Sequence, residues 1–141
     1  MTDDEEGIMG IETIETVGAP AAIGPYSQGV RAGDFVFFSG QLPLDPETME
    51  LVPGGIAEQA EQVMVNMEAV LAGAGLTFAQ VVKTTIYLVD LTHFPTVNEI
   101  YGRRFGEVAP ARATVQVAGL PKGALMEVEW IAYDAAGDTD L

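Results

Sequence analysis

Residues 126–133 read Met-Glu-Val-Glu-Trp-Ile-Ala-Tyr. Side chains of an extended strand point alternately to two faces. One face of this segment therefore collects Met126, Val128, Trp130 and Ala132, and the other Glu127, Glu129, Ile131 and Tyr133. The first row needs a covering layer, whereas two carboxylates resist burial without partners. A sheet with one covered face follows. The segment Ile56–Gly73 supplies a cover. Ile56, Ala60, Val63, Met64, Met67, Val70 and Leu71 recur at spacings of three and four, with Glu58, Glu61, Gln62 and Glu68 opposite. Gly73 and Gly75 stop this helix, and Met64 and Met67 read as core.

The rest of the chain mixes strand and helix signals. Ile11–Val17 reads as a first strand. Val30-Arg31 and Phe35–Ser39, joined through Ala32-Gly33-Asp34, read as a hairpin. Residues 42–55, with Pro43, Pro46, Pro53 and two glycines, read as loop. Val81–Asp90 is β-branched and apolar on both sides, the pattern of a central strand. Pro95 suits the first turn of a second helix, with Val97, Ile100, Tyr101 and Phe105 inward. Gly102 weakens that helix by about 1 kcal/mol. Arg112–Val117 and Met126–Tyr133 are the last strands, linked by a loop through Gly119–Gly123. Two helices and about six strands, with hairpins and long crossovers, predict an α+β domain with both helices on one sheet face. A single domain over 11–134 is expected, with flexible tails at 1–10 (acidic) and 135–141.

Composition narrows the function. The chain has 141 residues, 21 acidic and 6 basic, for a formal charge of −15. Phosphate backbones are gripped by clustered Lys and Arg, so no nucleic-acid partner is expected. No apolar run approaches the roughly 20 residues that span a bilayer, so no membrane partner is expected. The acidic start is the reverse of a secretory signal, which leads us to expect a cytoplasmic protein. The acidic surface, with only two lysines, resembles adaptation to high salt. Without cysteine there is no disulfide or thiolate nucleophile. The single histidine, His93, reads as ordinary surface and argues against a histidine-rich metal site or a classical triad.

In Arg112–Val117, one row holds Arg112, Thr114 and Gln116, and the other Ala113, Val115 and Val117. If the last two strands are neighbours, their polar rows align and Arg112 shares a patch with Glu127 and Glu129. Two readings follow. One is an exposed ion pair worth about 0–1 kcal/mol. The other is an interface, because Ile131 and Tyr133 make that face half apolar and oligomerisation would cover it. A sheltered guanidinium is a ready receptor for a carboxylate.

Five short segments occur in order. They are Ile23-Gly24-Pro25-Tyr26-Ser27-Gln28-Gly29, Ser39-Gly40-Gln41-Leu42-Pro43, Val97-Asn98, Pro110-Ala111-Arg112, and Leu120-Pro121-Lys122-Gly123 followed by Glu127-Val128-Glu129. Together they resemble the RidA (YjgF-type) family of reactive-intermediate imine and enamine deaminases. The resemblance implies a chorismate-mutase-like fold: an approximately six-stranded mixed sheet with two helices packed on one face. It implies a homotrimer whose sites lie between subunits. It also implies cofactor-free hydrolysis of 2-iminobutanoate and 2-iminopropanoate, or their enamines, to 2-oxo acids and ammonia.

Carried over by position, Arg112 matches the arginine that grips the substrate carboxylate. Glu127 matches the group that holds the attacking water, with Glu129 on the same face as the other candidate. Tyr26, Ser39 and Asn98 match residues lining the cleft. Thr114, where many relatives have cysteine, joins the substrate-binding set. Some of these residues are expected from a neighbouring chain, which the resemblance does not specify. Arg112 and Glu127 are expected to open into a common pocket between subunits. The alternative is a non-catalytic trimeric module that holds small 2-oxo or amino acids. A ribonuclease action fits least, given the charge.

Overall fold

The computed structural model describes residues 10–135. The expected tails, save Gly10 and Ala135, lie outside the described residues. The elements are β1 (Ile11–Ile14), β2 (Gly29–Ala32), β3 (Phe35–Gln41), α1 (Ile56–Gly73), β4 (Val81–Leu88), α2 (Phe94–Gly102), β5 (Ala111–Gln116) and β6 (Met126–Tyr133). The strands form one sheet in the order β1-β2-β3-β6-β4-β5. Strands β4 and β5 run parallel, and every other neighbouring pair is antiparallel. The expected hairpin is β2–β3, with Gly33 at φ +64° in its turn, where a side chain would be strained.

The first strand is shorter than expected. Beyond Ile14 the backbone turns to the Gln28 side chain, whose oxygen accepts from the Thr16 N–H at 2.7 Å. Its amide donates to the carbonyls of Thr16 at 3.1 Å and Pro20 at 2.8 Å. A buried amide thus takes over the bonds that a ladder would have made.

The core forms where α1 lies on the sheet. Val63, Met64, Met67 and Val70 meet Val36, Phe38, Ile86, Val128 and Trp130, all buried. The Trp130 ring stacks on Phe38, with centroids 4.6 Å apart. Helix α2 packs against α1 and buries Val97, Ile100 and Tyr101. Both helices thus cover the same face, as expected. Among the described residues no helix is long and apolar enough to cross a membrane.

One expectation fails. Strands β5 and β6 are not neighbours, because β4 lies between them. Strands β3 and β4 both run antiparallel to β6, so the crossover through α1 leaves a gap one strand wide that β6 fills. Register then decides the faces. Thr84 of β4 stands opposite Trp130 on one side and Arg112 on the other. Directly paired residues point the same way, so Arg112, Thr114 and Gln116 lie on the helix side. Glu127 and Glu129 lie on the open side. Strand β4 is central, as expected, but not apolar on both sides: its open row is Lys83, Thr85 and Tyr87. That row tolerates polar groups because no element among the described residues covers it. The same open face exposes Phe35, Phe37, Tyr133 and Val115 at 40–47%.

Candidate active site

A cleft of about 470 Å³ opens where the end of β3 meets the 20–28 segment and the Pro121–Gly123 turn. Tyr26, Ser39, Gly40, Leu42, Lys122 and Glu127 line it. The register of β3 against β6 shifts between Phe38 and Gln41, which turns Ser39 and Gly40 toward this cleft. The Ser39 hydroxyl donates to the Ser27 carbonyl, and its N–H donates to the Gln28 carbonyl at 3.0 Å. These two bonds tie the 20–28 segment to the sheet. The Tyr26 hydroxyl accepts from the Ile23 N–H at 3.3 Å, and 53% of the residue remains exposed.

Glu127 leaves β6 on the open side and lays its carboxylate over Gly40. A Cβ at position 40 would stand 2.2 Å from Glu127 Oε2, so a glycine there is what admits the carboxylate. Among the described residues no hydrogen-bond donor reaches the Glu127 carboxylate. Burial pushes its pKa above the ordinary glutamate value, and the nearby charge of Glu129 pushes the same way. Glu129 is exposed, and it accepts the Tyr87 hydroxyl at 3.0 Å. Of the two carboxylates, Glu127 is sheltered and unpartnered, while Glu129 is engaged.

The second group sits at the other end of the sheet. Arg112 on edge strand β5 donates from Nη1 to Asn98 Oδ1 at 2.7 Å. Its guanidinium carbon lies 5.1 Å from the ring centroids of both Phe94 and Tyr101. Burial holds the Tyr101 hydroxyl above its usual pKa, partly offset by its bond to Thr84 and by the Arg112 charge. Thr114 lies two residues further along the same row, with its hydroxyl buried and unpartnered. The other arginines are neutralised by carboxylates. Arg31 pairs with Glu12 and Asp134, Arg103 with Glu61 and Glu99, and Arg104 with Glu61. Among the described residues, no carboxylate pairs with Arg112.

The chain therefore assembles Tyr26, Ser39 and Glu127 in one place, and Asn98, Arg112 and Thr114 in another. Glu127 stands opposite Tyr87, and Arg112 stands opposite Thr84. Their backbones are thus three residues apart along the strands and two strand spacings across, roughly 10 Å in each direction, on opposite faces of the sheet. The patch of one arginine and two glutamates expected from strand adjacency does not form within one chain.

Sequence reasoning gave no role to Gly40, Phe94 or Thr84, and it read Tyr101 only as core. A signal was present. Phe94, Asn98 and Tyr101 are spaced by four and three, which places them on one face of α2. An aromatic–amide–aromatic stripe opposite an arginine strand is a recognisable cradle once the two elements are known to touch.

A mixed six-stranded sheet backed on one face by two helices, with two separated groups of polar side chains, defines the class of α+β domain to which the chain belongs. Residues 16–134 match the family described as Endoribonuclease L-PSP. Over 126 residues the chain is 55% identical to "Protein DfrA" of Myxococcus xanthus, covering 88% of this chain and 96% of that one. It is 50% identical to the 2-iminobutanoate/2-iminopropanoate deaminase of Mus musculus over 121 residues, 86% of this chain and 90% of that one. Among solved structures, RidA from an Antarctic Psychrobacter superposes with a TM-score of 0.83 at 50% identity, covering 86% of this chain and 98% of that one. The chain belongs to this RidA (YjgF-type) family, and its fold is the family's fold.

Proposed function

We propose that the protein hydrolyses 2-imino acids such as 2-iminobutanoate and 2-iminopropanoate to 2-oxo acids and ammonia, in clefts between the copies of a homotrimer. The observation that carries this reading is Arg112, an arginine held in place by an amide and two rings while no carboxylate among the described residues neutralises it. A bidentate contact with a substrate carboxylate answers that arrangement and is worth about 1.5–3 kcal/mol. The half-exposed aromatic face of the sheet supports assembly, since contiguous apolar surface of this kind marks an interface. The naming of mammalian relatives at about 50% identity as 2-imino acid deaminases supports the reaction class.

In this reading Arg112, Asn98 and Thr114 come from one copy, and Tyr26, Ser39 and Glu127 from its neighbour. Arg112 holds the carboxylate, so the imine carbon is presented to the Glu127 cleft. The protonated imine is already electrophilic and needs only an oriented water and a base. Glu127 takes one proton from the water as its oxygen bonds to the imine carbon. The tetrahedral amino alcohol then collapses: Glu127 returns the proton to nitrogen, the C–N bond breaks as Glu127 takes the hydroxyl proton, and the departing ammonia accepts that proton from Glu127. The products are a 2-oxo acid and ammonium. The raised pKa of Glu127 suits a group that both takes and gives a proton. The serine hydroxyl and the Tyr26 ring line the path, and the chemistry as written draws on no cofactor.

Three of the six basic residues are already ion-paired. That pairing and the charge of −15 speak against an RNA substrate. The test is ammonia release from 2-iminobutanoate generated by a threonine dehydratase, with and without the protein. We expect acceleration by the native chain and a loss of about 10- to 100-fold in kcat/KM for Arg112→Ala. An unaltered rate in Arg112→Ala would remove the mechanism. Binding of 2-oxobutanoate with no acceleration would indicate a binding module instead.

A further inference from the structure

We infer that Phe94 and Tyr101 are positioning residues for Arg112, forming a two-ring cradle tethered by Thr84 that keeps the guanidinium oriented and unneutralised for an incoming carboxylate. This rests on the reading of Arg112 given above. The chain carries 21 acidic residues, and its other three arginines are all taken by carboxylates. At Arg112 ring faces stand in place of an anion. A ring face attracts the cation through its quadrupole but supplies no full negative charge. The guanidinium is thereby held without being satisfied. Asn98 takes one Nη1 hydrogen, which sets the rotation of the fork and leaves other donors free.

The cradle is anchored to the sheet. Tyr101 is 5% exposed, and its hydroxyl lies 2.7 Å from Thr84 Oγ1. Thr84 is fully buried and is the direct neighbour of Arg112 on the adjoining strand. The ring that supports the guanidinium is thus pinned to the same cross-strand row from which Arg112 projects. Phe94, at the start of α2, closes over the guanidinium from the neighbouring turn of the helix. Pre-placing the arginine removes ordering cost that substrate binding would otherwise meet.

The test uses the full chain, with 2-oxobutanoate as the probe in titration calorimetry and steady-state kinetics alongside. Phe94→Leu keeps apolar bulk but removes the quadrupole. We expect Kd and KM to rise about fivefold, equivalent to about 1 kcal/mol, with kcat within about twofold. Phe94→Trp, which has the strongest ring quadrupole, should restore native Kd. Tyr101→Phe keeps the ring and cuts the tether, and we expect a rise in Kd of about two- to threefold. Unchanged Kd in both Phe94→Leu and Tyr101→Phe overturns the cradle. So does a loss in Phe94→Leu that tryptophan fails to restore, since generic packing explains it. Arg112→Ala separates the two levels. If that variant binds 2-oxobutanoate normally, the carboxylate-binding role of Arg112 is wrong and the cradle falls with it. If it loses binding while Phe94→Leu does not, only the cradle is wrong.

Discussion

Among the described residues, the carboxylate of Glu127 is sheltered with no donor in reach, whereas the cation of Arg112 stands on an edge strand with no carboxylate paired to it. The first group sits against backbone, over a glycine that leaves room for it. The second is held by side chains alone, two rings and an amide. Both charges stay available, by opposite means. Burial changes how readily the carboxylate ionises. A guanidinium stays protonated anywhere, so its availability depends only on what neutralises it. A chain of charge −15 must therefore arrange for one arginine to escape its own carboxylates.

The contrast breaks first at Glu127. Glu127→Gln keeps shape and removes the base, and kcat for imine hydrolysis should fall about 10²- to 10⁴-fold. A fall under about threefold in the coupled ammonia assay would show that the sheltered carboxylate is not the base. The separation of the two halves is tested by mixing. Arg112→Ala and Glu127→Gln chains, each strongly impaired alone, should rise to about a quarter of native activity when co-assembled at equal amounts, since one in four intersubunit clefts then has both groups. No recovery would place both groups in one chain's site, against the geometry.

A smaller effect is expected at Gly40. Gly40→Ala puts a methyl group where the Glu127 carboxylate rests, and displacing the base should lower kcat about tenfold with a modest change in KM. A crystal structure of that variant would show whether Glu127 has moved. The smallest change is at Glu129. Its charge is one of two causes that raise the Glu127 pKa, so Glu129→Gln should move the acidic limb of the kcat/KM profile to lower pH. Burial, the larger cause, remains, so the limb should stay above an ordinary glutamate. An unmoved limb would mean that Glu129, tied to Tyr87, does not act on the base.

Much of the fold was legible because local periodicity reports burial. The 18-residue helix α1 matches its apolar stripe end to end, and the row Met126, Val128, Trp130 and Ala132 is buried as its alternation demanded. The motif residues Tyr26, Ser39 and Glu127 also meet in one cleft. Strand β5 was the weak point. It lies at a sheet edge where its residues are exposed or half-buried, so alternation there says little about which row faces the helices. Ala113 and Val115 resemble a core row, yet they face the open side.

The sequence by itself determined which segments are helix and strand and which row of β6 is buried, and its ordered motifs identified the family. These are local properties, set by side-chain periodicity of two or 3.6 residues. Only the tertiary structure decided that β6 inserts between β3 and β4, and that Arg112 therefore faces the helices while Glu127 faces away. Strand order and register join residues distant along the chain. No local pattern specifies which neighbour a strand chooses, and each choice sets the side to which its charges point.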